Sequence, residues 1–101
     1  MNLNEREKAL EDLYAHDQET HFKIRSRRNR QAGMWAAIQM GIEAHKYAEG
    51  LVTAFLTRQQ LFERLKADFA KNGVTVTDAE IGAKIIEFTN SSRQYFMQNP
   101  D

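Results

Sequence analysis

The sequence predicts an all-α four-helix bundle with a long first helix, whose N-terminal part is a mobile amphipathic arm. Three observations predict this. Apolar residues recur at three- and four-residue spacing through most of the chain, and no period-2 alternation persists. The single proline, Pro100, lies beyond every candidate helix. Glycines and capping residues punctuate the chain where short helix–helix connections would fall.

The first helix is expected to start near Asn4, whose side chain can cap the amide three residues on. Glu7 is placed to complete a capping-box-like pair. Leu3, Leu10, Leu13 and Tyr14 follow at i, i+7, i+10 and i+11 and so line one face. Continued past Tyr14, that face meets Asp17, His21 and Arg28, so the apolar stripe breaks. Residues 1–19 also carry six acids against two bases. The chain therefore divides into an acidic arm, 1–19, and a bundle domain, 20–101. A lone helix of the arm's length is marginal in water, so such an arm orders on binding.

Beyond the arm, Lys23, Arg25, Arg27, Arg28 and Arg30 fall within eight residues. The helix then turns apolar around Trp35, flanked by Ala36, Ala37, Ile38 and Met40. Trp35 is expected to anchor a core, and Gly41 to supply the left-handed residue that ends the helix.

A second helix is expected from Glu43 to about Leu56, with Tyr47, Leu51, Ala54 and Phe55 on its core face. Gly50 costs it about 1 kcal/mol against alanine, which a close neighbouring helix there would explain. After a break at Thr57–Gln59, a third helix runs about Gln60–Lys71 with Leu61, Phe62, Leu65 and Phe69 inward. Asn72-Gly73 ends it. Val74-Thr75-Val76 is only a connector. Thr77-Asp78-Ala79-Glu80 spells a capping box for the fourth helix, with acids in its first turn. Ile81, Ile85, Phe88 and Tyr95/Phe96 then repeat at helical spacing to about Met97.

Composition bounds the function. A chain of 101 residues fits one domain, and 42% hydrophobic residues suffice for a small core. The absence of cysteine excludes disulfides, thiolate zinc sites and thiol nucleophiles. The charged start, MNLNEREKALED, has no apolar segment of a signal peptide. No apolar run approaches the ~18 residues of a membrane span, so a cytoplasmic protein without membrane insertion is expected. A net charge of zero argues against a general nucleic-acid binder.

Chemistry is sparse. Lys23, Arg27, Arg28 and Arg30 could contact phosphate, which would make the chain a small nucleotide- or nucleic-acid-binding module. The plainer reading is a solvated face pairing with acids of other helices. Asp17 and His21 stand four apart, but no third ligand follows, so no metal site is expected. No Ser/His/Asp grouping, Walker loop or buried carboxylate pair emerges, so neither catalysis nor a cofactor is expected. The stripe on residues 3–14 either packs on its own bundle or lies in a partner's groove.

Several strings carry a resemblance: Arg6-Glu7-Lys8-Ala9, Ala15-His16-Asp17-Gln18-Glu19, Phe22-Lys23, Arg27-Arg28-Asn29-Arg30, Gly33, Trp35-Ala36-Ala37 and Met40-Gly41. Looser matches follow at Tyr47-Ala48, Val52, Phe62, Ala67-Asp68, Gly73-Val74 and Ile81. On these the chain resembles the zeta-type inhibitor subunit of alphaproteobacterial F-type ATP synthases over nearly its whole length. The resemblance implies a four-helix bundle carrying an N-terminal inhibitory segment. That segment would enter an interface of the alpha and beta subunits near the central shaft and block ATP hydrolysis. It also implies a location at the membrane only through ATP synthase. Residues 3–19 would be the inhibitory element, with Leu3, Leu10, Leu13 and Tyr14 as apolar contacts. Arg6, Glu7, Glu11 and Asp17 would be its polar ones, and nucleotide binding would be weak at most. The chain departs from the family at the short loop Leu56-Thr57-Arg58-Gln59-Gln60 and at Asp12-Leu13-Tyr14.

Overall fold

A computed structural model describes residues 18–99. Among these residues the chain forms four helices and no strand: α1 (Gln18–Met40), α2 (Ala44–Thr53), α3 (Arg58–Lys71) and α4 (Asp78–Gln98). The all-α bundle is as expected. The start near Asn4, the Asn4/Glu7 capping pair and the stripe Leu3–Tyr14 lie outside the described residues. None of the four helices is long and apolar enough to cross a membrane.

The helix α1 is the hub. It packs against each of the other three, most extensively against α2 and α4, and α3 also packs on α4. Its apolar half makes this feasible because it is small. Ala32, Gly33, Ala36 and Ala37 are all buried, so neighbouring backbones can come close. At Gly33 an added Cβ would lie 2.8 Å from the Ala48 Cα and 3.0 Å from the Leu51 Cδ1. This is where α2 crosses.

No neighbouring helix passes close at Gly50, so the condition that would make its cost tolerable is not met. Gly50 is exposed, with nothing within 4 Å of a Cβ built on it. Ala48 and Leu51 face α1 instead, and Gly50 falls on the outer side of α2. Leu51, Leu61, Leu65, Phe69, Ile81 and Ile85 close the core over Ala32 and Ala36. Each such large side chain contributes roughly 1.5–3 kcal/mol of burial. Trp35, Tyr47, Phe62, Val74, Val76 and Phe88 cover its edges.

The helix ends follow local chemistry. At Gly41, φ is +69°, the Ile42 amide donates to the Ala37 carbonyl and the Gly41 amide to that of Ile38. That is a Schellman ending, and Gly73 repeats it with Val74 onto Phe69 and Gly73 onto Ala70. Thr77 and Glu80 form the expected capping box on α4.

Two boundaries differ from expectation, for one reason. Thr57 and Gln60 form a second capping box, so α3 starts at Arg58 rather than Gln60. To reach that cap the chain leaves α2 after Thr53, and Phe55 adopts a left-handed backbone at φ +52°. Ala54 and Phe55 are exposed rather than core-facing, and Ala48 takes the inner position. At the other end, Glu43 is the cap of α2, accepting from the His45 and Lys46 amides. Those amides, Lys46's foremost, hold its carboxyl below the usual range.

Candidate functional site

The sequence marks two candidate regions. Leu3, Arg6, Glu7, Leu10, Glu11, Leu13, Tyr14 and Asp17 lie outside the described residues. The described chain opens at Gln18, already helical, where the arm would join α1. His21, in the second turn, is exposed.

In the second region Lys23, Arg27, Arg28 and Arg30 each meet a partner within the chain. Lys23 pairs with Glu19 at 3.5 Å, an exposed contact worth at most about 1 kcal/mol. Arg30 reaches Glu49 of α2 at 2.9 Å. Arg27 turns to α4, its Nη1 donating to the hydroxyls of Ser91 (3.2 Å) and Ser92 (3.1 Å) and to Gln31 Oε1 (3.3 Å). Its guanidinium also lies 4.5 Å from the centre of the Tyr95 ring, a cation–π contact. Tyr95 therefore sits outside the core, contrary to the apolar repeat that placed it inward.

Arg28 is buried. Its Nε donates to Asn29 Oδ1 at 3.1 Å and its Nη2 to the Leu56 carbonyl at 3.3 Å. Asn29 Nδ2 donates to that same carbonyl at 3.0 Å. This two-residue clasp ties α1 to the α2–α3 turn through the Leu56 carbonyl. Burial, then the charges of Arg25 and Arg58, push the Arg28 pKa down to about 10. The group remains a cation at neutral pH. No carboxylate stands within 4 Å of it among the described residues. Lys23, Arg27, Arg28 and Arg30 thus send their charged ends to four different places.

Sequence reasoning missed Asn29, Ser91 and Ser92 as partners, and the clasp itself. A signal was present. Ile24, Arg28, Ala32 and Ala36 stand four residues apart, so Arg28 falls on the apolar stripe of α1. It also missed the link between α2 and α3, where the Tyr47 hydroxyl donates to Asp68 Oδ2 at 2.6 Å. Arg64 Nε meets the same oxygen at 2.9 Å. Burial, followed by Asp68 accepting the hydroxyl, raises the Tyr47 pKa.

Trp35 is only partly buried: it packs edge-on against Phe69, ring centres 5.5 Å apart, at the edge of the core rather than within it. Its outer side lines an open cleft of about 560 Å³ between α1 and α4, with Gln39, Glu80, Ala83, Lys84 and Glu87. Lys84 and Glu87 pair with each other there at 3.0 Å. Among the described residues no three His, Cys, Asp or Glu side chains group to hold a metal ion.

Compared with protein-family models, residues 1–95 match ATPase inhibitor subunit zeta. No curated protein and no solved structure matches the chain. The family match takes in the acidic arm, the arginine segment, the clasped turn and α4 as far as Tyr95. The chain belongs to the ATPase inhibitor subunit zeta family, a family of regulatory subunits rather than enzymes.

Proposed function

We propose that this protein binds F-type ATP synthase and blocks ATP hydrolysis through residues 1–19. Those residues enter, as a helix, a catalytic interface between the alpha and beta subunits beside the central shaft. The bundle of α1–α4 stays outside and carries them, and the protein meets the membrane only through ATP synthase. Membership of the inhibitor family across residues 1–95 is the observation that carries this reading. The pattern of the arm supports it, because Leu3, Leu10, Leu13 and Tyr14 offer one apolar face for a groove. Arg6, Glu7 and Glu11 add charges that fix register, and Asp17 stands where the apolar stripe breaks. The bundle supports it too, since its described helices close a core of their own. Lys23, Arg27, Arg28 and Arg30 each have an intrachain partner, which favours inhibition over phosphate binding at 23–30.

ATP hydrolysis by the isolated catalytic sector of the cognate ATP synthase tests this. The intact chain is added, and in parallel a version lacking residues 1–19, which loses only the first two residues of α1. Inhibition by the intact chain alone is expected. Equal inhibition by both would move the inhibitory element into the bundle, and no inhibition by either would sink the reading.

A further inference from the structure

Phe22 and Phe55 meet on the surface where the α2–α3 turn crosses the first turns of α1. Their ring centres are 5.4 Å apart, yet the residues are 49% and 55% exposed. Phe55 is held there by its left-handed backbone, a conformation that glycine or asparagine usually supplies. A bulky aromatic in that position projects outward instead of joining the core beside it.

Arginines flank this pair, and the one acid near it on α1, Glu19, is already paired with Lys23. Arg25 stands three residues after Phe22 and so shares its face of α1. Arg58 stands three residues after Phe55, and Arg28 lies buried beneath, close enough to feel both charges. Among the described residues no carboxylate comes within 4 Å of Arg25, Arg28 or Arg58. Lys23 and Arg30, on the same helix, do have such partners. The surface thus joins two exposed rings to three cations that lack an acid among the described residues.

We propose that Phe22, Arg25, Phe55 and Arg58 form a docking surface for an acidic segment of the ATP synthase catalytic sector. An apolar side chain of that segment seats on the two rings, and its carboxylates meet Arg25 and Arg58. The proposal rests on the inhibitor reading and adds a second contact, made by the bundle instead of the arm. Charge complementarity selects the occupant, because carboxylates supply what these arginines lack and pair with them in bidentate geometry. Aromatic residues and arginine are also the types enriched at interface centres.

The test measures inhibition of hydrolysis by the full-length chain over a range of salt, for wild type, R25E/R58E and F22S/F55N. Arg25 and Arg58 are exposed, and asparagine suits the backbone at 55, so both variants are expected to fold; thermal unfolding checks this. The half-inhibitory concentration of R25E/R58E is expected to rise at least about tenfold, with a shallower salt dependence. F22S/F55N is expected to weaken inhibition while keeping the salt dependence of wild type. R25Q/R58Q, expected to weaken it by about threefold, serves if the charge reversal unfolds the chain. Unchanged inhibition by the arginine variants overturns the docking surface and leaves the arm reading intact. Stronger inhibition also overturns it, and assigns the patch to the acidic arm of the chain itself. A wild-type chain that neither binds nor inhibits removes both readings together.

Discussion

The two halves of α1 hold the bundle in opposite ways. The C-terminal half works by absence: Gly33, Ala32, Ala36 and Ala37 remove side-chain volume, and Ala48 of α2 comes to where a Cβ would stand. The N-terminal half works by reach. Arg27 and Arg28 extend long polar side chains to Ser91, Ser92 and the Leu56 carbonyl. Close backbone packing is unforgiving of added volume. A polar clasp tolerates shape but not the loss of one partner. One helix therefore carries two kinds of vulnerability.

The largest effect should come from filling the closest contact. Gly33→Val drives a branched side chain into the Ala48 backbone and is expected to destabilise by about 3 kcal/mol, read from urea unfolding. A loss well below that would mean that α2 can shift without penalty. On the polar half, Asn29→Ala removes both the acceptor of the Arg28 Nε and a donor to the Leu56 carbonyl. It is expected to cost about 2 kcal/mol, and a neutral result would show that the clasp contributes little.

A smaller effect separates the hydrogen bond of Tyr47 from its burial. Tyr47→Phe keeps the ring against the core but loses the bond to Asp68, at about 1 kcal/mol near neutral pH. The variant should also differ from wild type in alkali. The folded phenol keeps its proton past pH 10.0, the ordinary value at which it ionises in the unfolded chain. The unfolded state then binds fewer protons, so wild-type stability falls as pH rises through that range. Arg28 acts in the opposite direction in both proteins, so the difference between them isolates Tyr47. Its expected form is a flatter alkaline limb for the variant in pH-dependent unfolding.

The smallest effect has the other sign. Gly50→Ala enters open space on a helix and is expected to stabilise by up to about 1 kcal/mol in the same unfolding assay. The same exchange at Gly33 should destabilise. If both glycines behaved alike, the distinction between the close α1–α2 contact at Gly33 and the open outer face of α2 at Gly50 would fail.

Those two glycines also mark what the sequence could convey. Helix endings at Gly41 and Gly73 and the cap at Thr77 were legible because each is settled by a few adjacent residues. Leu61, Leu65, Phe69, Ile81 and Ile85 were legible because their spacing matches the helix repeat. Which glycine admits a neighbour depends on where another helix crosses, and spacing alone does not carry that. The Thr57–Gln60 cap was spelled out as openly as the one at Thr77. Phe55 and Leu56 extended the apparent stripe of α2 over it, and a left-handed phenylalanine has no sequence signature. Of the candidate site, the arginine segment was visible as charge. Its division among α4, α2 and the turn was not, because Ser91, Ser92, Glu49 and Leu56 are brought to it only by folding.

The central claim is that inhibition resides in residues 1–19 and stability in the bundle. Inhibition of ATP hydrolysis by the L10D/L13D variant tests it most directly, with thermal unfolding followed on the same sample. The account predicts that inhibition is lost while the unfolding midpoint stays at the wild-type value. Full inhibition by that variant would contradict it.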